Sequence, residues 1–290
     1  MNDNTSSGQD APAEREPVGR LGTDFTTRLG AGAVMAVVAL AFILAGVIPF
    51  AVLVVLVAVA ISWEWGRMVH GTSANNVIAV QIITATLAGI LAAAGLVGLG
   101  LLALPIGAIL ATLLSLGRNS VFSALGVFYA GLPAVSLIWL RSDPFLGLHG
   151  VLFLLLVVIA ADTGAFIAGR LVGGPRLWPA VSPNKTWSGL AGALVAGAVV
   201  GALFSYAVAG SSPVWLAAAG AVLALVAQGG DLAESAMKRR FGVKDTSALI
   251  PGHGGVMDRV DGLIAAASAV AIAAIAIDVY APARALLFGS

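Results

Sequence analysis

The sequence predicts an all-α integral membrane protein, with about nine transmembrane helices and a polar active site on the cytoplasmic side. Three observations carry that prediction. The 290 residues are 59% hydrophobic, only 10% are charged, and mean hydropathy is +1.01; globular domains carry about a quarter charged residues. The apolar runs far exceed the ~10 residues of a barrel strand, so the spanning elements are helices. The few charges are also concentrated. Between Ser235 and Gly262 the chain reads SAMKRRFGVKDTSALIPGHGGVMDRVDG, with Lys238, Arg239, Arg240, Lys244, Asp245, Asp258, Arg259, Asp261 and His253. A soluble two-domain protein is excluded.

Residues 1–29 are polar and rich in Gly, Ser and Pro, and read as a disordered cytoplasmic tail. They lack the basic start and short apolar core of a signal peptide. Each span needs roughly 20 apolar residues. The run Ala31–Trp63 is too long for one, and Gly46 with Pro49 suggests a turn between two short spans. Further runs cover Asn76–Leu96, Val97–Leu116, Val121–Leu140, Gly150–Ala168, Leu190–Ala209, Pro213–Gly230 and Gly262–Tyr280. Residues 30–145 form N-terminal transmembrane helices and 146–290 a C-terminal transmembrane catalytic region. Gly197 and Gly201 in GAVVG predict close helix packing.

Lysine and arginine set the orientation. With nine spans, Arg15, Arg20, Arg28, Arg67, Arg118, Arg170, Arg176, Lys185, Lys238, Arg239, Arg240, Lys244 and Arg259 fall on one side, and only Arg141 and Arg284 on the other. That side is cytoplasmic and includes the N-terminus. The protein is expected in the cell membrane, crossing it many times. Net charge is +1, which gives no support for a nucleic-acid partner. Cysteine is absent, so thiolate ligands and a cysteine nucleophile are excluded.

Two polar stretches carry the chemistry, Ser182–Gly189 (SPNKTWSG) and Asp231–Asp261. If the helix continues past Gly230, then Asp231, Glu234, Ser235 and Lys238 share one face at i, i+3, i+4 and i+7. Asp258 and Asp261 form a second acidic pair. Facing carboxylates without soft ligands suit Mg²⁺ bridging substrate phosphates. Lys238, Arg239, Lys244 and Arg259 offer charge and forked donors to phosphate oxygens. Gly254 and Gly255, in PGHGG, are read as part of an anion-binding nest. Lys185, Ser182 and Thr186 add donors from the other stretch. Asp162, inside the apolar run VVIAADTGAFIAG, is costly there and points to function.

Blander readings stand beside these. Arg240 and Arg176 are read as topology determinants. Asp261 could favour a helix N-terminus, and Arg170 could be a structural partner of Asp162. His253 could be a loop residue held by glycines. No Walker or kinase-type glycine loop is present. The residues alone define metal-dependent handling of a phosphorylated substrate at the cytoplasmic interface.

The stretch from Ser235 to Asp261 resembles the signature of the phosphatidate cytidylyltransferases. That pattern is S-x-apolar-K-R, four residues, K-D, then P-x-H-G-G-apolar-x-D-R-apolar-D. Ser235, Lys238, Arg239, Lys244, Asp245, Ser247, Ile250, Pro251, His253, Gly254, Gly255, Asp258, Arg259 and Asp261 fall in register. GGDLAES, ADTGAF, SPNKTWSG and Trp63-Glu64-Trp65 add to the resemblance, which is clear over the C-terminal half. Asn184 and Ser188 depart from it, standing where the family often has Lys and Glu.

The resemblance implies transfer of the cytidylyl group of CTP to phosphatidic acid, giving CDP-diacylglycerol and pyrophosphate. It implies Asp231, Asp258 and Asp261 as metal ligands, with one or two divalent ions and room for a monovalent cation. Lys185, Lys238 and Arg239 would contact phosphates. Ser182, Thr186, Ser235, Lys244, Gly254, Gly255, Arg259 and Asp162 would line the substrate site, and His253 would position rather than act as a base. Partners are CTP, phosphatidic acid and the bilayer, and the family admits a homodimer. The alternatives are a CTP-dependent transferase acting on an isoprenoid lipid or lipid phosphate, an anion transporter, and a scaffolding membrane protein. A transporter would place polar residues near the midplane, and a scaffold would not need the carboxylates.

Overall fold

The computed structural model describes residues 32, 34, 36–250 and 254–290. The expected tail, and Pro251, Gly252 and His253 of the signature, lie outside the described residues.

Helix α1 (residues 36–44) ends at Gly46, whose φ of 118° turns the chain where the sequence placed a break. Pro49 then sits in the first turn of α2 (Val47–His70), where amides lack intrahelical partners anyway. The helices α3 (Asn75–Ala93), α4 (Val97–Leu114), α5 (Ser120–Arg141) and α6 (Gly147–Leu171) follow. Next come two short strands, β1 (Arg176–Trp178) and β2 (Ser182–Thr186), and then α7 (Trp187–Phe204), α8 (Pro213–Arg240), α9 (Met257–Ile277) and α10 (Pro282–Phe288).

Among the described residues, eight helices, α2 to α9, are long and apolar enough to cross a membrane. The ninth expected span was the first part of the run from Ala31, and residues 31, 33 and 35 lie outside those described. The protein is thus a multi-pass helical membrane protein. One element departs from all-α. The SPNKT segment is not a plain loop, because β1 and β2 pair antiparallel, with Arg176 opposite Thr186.

Helices α2 to α5 pack on one another, and α6, α7 and α8 pack in chain order. Helix α9 lies against both α8 and α5 and so ties the two groups together. The glycines explain the closeness of α7 and α8. A Cβ on Gly197 would lie 2.6 Å from Gly220 O, and one on Gly201 would lie 2.0 Å from Leu216 O. Expected packing through GAVVG is therefore observed, as small residues permit in a medium where apolar surface alone gives no drive.

Helix α8 positions the site. Ser212 caps its start by accepting from Trp215 N, and Pro213 occupies the first turn. Its 28 residues span about 42 Å at 1.5 Å per residue, against a hydrocarbon core of ~30 Å. The apolar run stops at Gly230, yet the helix continues for ten residues, Asp231 to Arg240. The charged face lies on that last stretch. Helix α9 starts at Met257, earlier than the expected Gly262, so Asp258 and Asp261 stand on its first two turns.

Candidate active site

The hairpin sets one wall. Thr186 ends β2 and caps α7, accepting from Gly189 N at 3.0 Å, so the strand hands directly to the helix. Ser188 Oγ donates to Gly173 O, which fastens the turn behind the hairpin. Lys185 is thereby held pointing at α8. Its ammonium lies 2.7 Å from Asp231 Oδ2 and donates to Gln228 O and Gln228 Oε1 at 3.3 and 3.2 Å. Gln228 in turn donates from Nε2 to Asp162 Oδ1 at 2.9 Å. One polar chain runs from α6 through α8 to the hairpin. The alternative that Arg170 partners Asp162 is replaced by this contact with Gln228; the Arg170 guanidinium sits over the Phe166 ring, 5.8 Å from its centroid.

These residues open on a cavity of about 550 Å³, lined among others by Asp162, Arg170, Arg176, Asn184, Lys185 and Asp231. Ligand pockets commonly hold ~300–1,000 Å³. Arg176, read from sequence as a topology determinant, lines this cavity and donates to Asn184 O at 3.2 Å.

Below Asp231 the acidic face of α8 meets α9. Carboxylate oxygens of Asp231, Glu234 and Asp261 lie within 4.8 Å of one another. Glu234 is 1% exposed, and its Oε1 is buried with no hydrogen-bond partner among the described residues. An orphaned buried carboxylate oxygen is expensive. Its position beside two more carboxylates fits a hard divalent cation. Ser235 Oγ donates to Asp231 Oδ1 at 3.4 Å.

Lys238 lies between two acids. Its Nζ is 2.8 Å from Glu234 Oε2 and 2.7 Å from Asp258 Oδ1. Asp258 Oδ2 accepts from Thr246 N, Thr246 Oγ1 and Gly255 N at 3.0, 3.0 and 2.9 Å. The expected glycine nest is therefore only partly available. Gly254 has φ +87° and closes a bridge to Ile250, but the Gly255 amide is given to Asp258 rather than left open.

Of the residues expected from sequence, the structure brings together Asp162, Lys185, Thr186, Asp231, Ser235, Lys238, Asp258, Asp261, Gly254 and Gly255. Ser182 begins β2 opposite Trp178, at the turn end of the hairpin. Arg239, Lys244 and Arg259 are exposed on the last turn of α8, the following loop and the first turn of α9. His253 lies outside the described residues. Sequence reasoning missed Gln228, at i−3 on the Asp231 face, and placed Glu234 on that face at i+3 without naming it among the metal ligands, where the structure sets it beside Asp231 and Asp261. It named Trp63-Glu64-Trp65 without a role, and the structure buries Glu64 against the signature loop.

The fold and site define a class: a multi-pass helical membrane protein with five carboxylates and two lysine ammoniums gathered at one end of the bundle. Residues 26–277 match the cytidylyltransferase family, and the chain belongs to that family. It is 38% identical over 250 residues to the phosphatidate cytidylyltransferase of Brucella suis biovar 1, covering 85% of this chain and 92% of that one. The same values hold for the protein of that name from Brucella abortus biovar 1 (strain 9-941). The phosphatidate cytidylyltransferase of Staphylococcus saprophyticus is 38% identical over 144 residues, 49% of this chain and 54% of that one.

Proposed function

We propose that this protein transfers the cytidylyl group of CTP to phosphatidic acid, giving CDP-diacylglycerol and pyrophosphate. The observation that carries the reading is the cavity between the hairpin and α8. It carries Asp162, Arg170, Arg176 and Lys185 on its walls, is sized for a nucleotide, and shares Asp231 with the acidic trio. The family and the relatives' names support the same reaction.

The chemistry follows from charge. A phosphate oxygen of the lipid attacks the α-phosphorus of CTP, and the bond to the β-phosphate oxygen breaks as pyrophosphate leaves. The attacking phosphate is already ionised, so no protein nucleophile or strong base is needed. The difficulty is repulsion between two polyanions and their alignment in line. Arg170, Arg176 and Lys185 at the cavity supply positive charge and phosphate donors.

Asp231, Glu234 and Asp261 are the residues that would hold a divalent cation such as Mg²⁺. When bound, it would offset the excess of carboxylates and draw charge from phosphate oxygens. Lys238 joins Glu234 to Asp258, so a substrate phosphate that drew its ammonium away would release Glu234 Oε2 and Asp258 Oδ1 together. That exchange gives Lys238 its phosphate contact and makes Asp258 available to a further ion.

The site end is assigned to the cytoplasm. Helices α7 and α8 lie between the two motif segments, and Lys185 meets Asp231, so both belong to one end. Most Lys and Arg residues fall at that end, as the positive-inside rule requires. CTP arrives there from water, and phosphatidic acid presents its headgroup at the same interface. The test is formation of CDP-diacylglycerol by purified protein from CTP and phosphatidic acid, with and without Mg²⁺.

A further inference from the structure

We infer that Glu64 is a positioning residue for this reaction, a carboxylate from the N-terminal helices that fixes the signature loop in register with α8. The inference rests on the proposed function for its kinetic consequences and on geometry for the rest. Glu64 is 0% exposed, six residues before the end of α2. Its Oε1 accepts from Ser247 Oγ at 2.6 Å and Val256 N at 2.8 Å, and Oε2 accepts from Met257 N at 2.7 Å. Thr246 Oγ1 stands 3.4 Å from Oε2 and 3.0 Å from Asp258 Oδ2, with one proton to give.

The donors lie at both ends of one loop. Ser247 follows α8, whereas Val256 and Met257 begin α9 and have amides with no partner inside the helix. A buried negative charge at that helix end is favourable, and charge-assisted bonds offset its burial. Glu64 therefore ties the exit of α8 to the entry of α9. Asp258, one residue further on, then meets Lys238, and Lys238 meets Glu234 of the acidic trio. The loop is also too tight for a side chain. A Cβ on Gly255 would lie 2.0 Å from Thr246 Oγ1 and 2.7 Å from Glu64 Oε1. Glutamine cannot replace Glu64 here, because its amide N–H₂ would face an N–H or O–H donor.

The experiment compares wild type, Glu64→Gln, Glu64→Asp and Ser247→Ala. It reads kcat and KM for both substrates, melting temperature, and amide exchange at Val256 and Met257. Supporting residues of this kind are worth about 10–100-fold. The expected result is a fall of that size in kcat for Glu64→Gln, with each KM within about threefold. Glu64→Asp should recover part of it, and Ser247→Ala should show a smaller fall. Faster exchange should be confined to the loop and the start of α9. Undiminished kcat in Glu64→Gln beside an active wild type overturns this inference alone. So does a loss that tracks the unfolded fraction, with exchange raised throughout. If Glu64→Gln does not fold, Ser247→Ala decides, and wild-type kcat with unchanged exchange there overturns it. An inactive wild type overturns the proposed function and this inference with it.

Discussion

Lys185 Nζ lies 2.7 Å from Asp231 Oδ2, and that ion pair joins the hairpin before α7 to the charged end of α8. The two residues are 46 positions apart, with α7 and the apolar part of α8 between them. The pair brings the two polar stretches of the sequence into one cavity wall. Lys185→Met should lower kcat/KM for CTP by about 100-fold, with a small change in melting temperature. On the proposed function the lost group is a phosphate donor, while Asp231 keeps about a third of its side chain in water, and a pair with a solvated partner contributes only ~0–1 kcal/mol to stability. Steady-state kinetics beside thermal unfolding in detergent checks this.

Lys238 should behave differently. Its two partners, Glu234 and Asp258, have side chains 1% and 6% exposed. Lys238→Met leaves both without their cation, which should destabilise the fold by roughly 3–5 kcal/mol. Lys238→Met with Glu234→Gln should recover part of that stability and none of the activity. Thermal unfolding of the single and double variants measures it.

The acidic trio predicts a metal requirement. Chelation should abolish turnover, and added Mg²⁺ should restore it. Glu234→Gln should raise the Mg²⁺ concentration needed for half-maximal rate by about 10-fold or more, since a neutral amide replaces a hard anionic ligand. Equal Mg²⁺ dependence in variant and wild type would remove Glu234 from the ligand set.

Glycines separate by what surrounds them. Gly201→Ala should destabilise the α7–α8 contact by about 1–3 kcal/mol, because its Cβ would stand 2.0 Å from Leu216 O. Gly98→Ala in α4 meets nothing within 4 Å and should be neutral or slightly stabilising. Melting temperatures of the two variants decide this.

What the sequence showed and concealed has a physical pattern. Helices were legible because lipid demands long apolar runs, and run ends fell within a few residues of Asn75, Val97, Ser120 and Pro213. The face Asp231, Glu234, Ser235 and Lys238 was legible because its spacing is local to one helix. The partners were not. Lys185 finds Gln228 across 43 residues, Gln228 finds Asp162 across 66, and Glu64 finds Met257 across 193. No periodicity reports such pairings. The hairpin was hidden for another reason: strands of three and five residues are too short to show alternation. Glycine content shows that amides can converge, but not which anion they meet, and the Gly255 amide meets Asp258.

The central claim is that Asp231 joins the nucleotide cavity to the metal-binding acids in a cytidylyl transfer to phosphatidic acid. The direct measurement is CDP-diacylglycerol formed from CTP and phosphatidic acid by purified wild type and Asp231→Asn, with isoprenoid phosphates as rival acceptors. The account predicts Mg²⁺-dependent product from phosphatidic acid in the wild type and a loss of about 100-fold or more in Asp231→Asn. An Asp231→Asn variant as active as wild type would contradict the site, and a wild type that used only an isoprenoid phosphate would contradict the substrate.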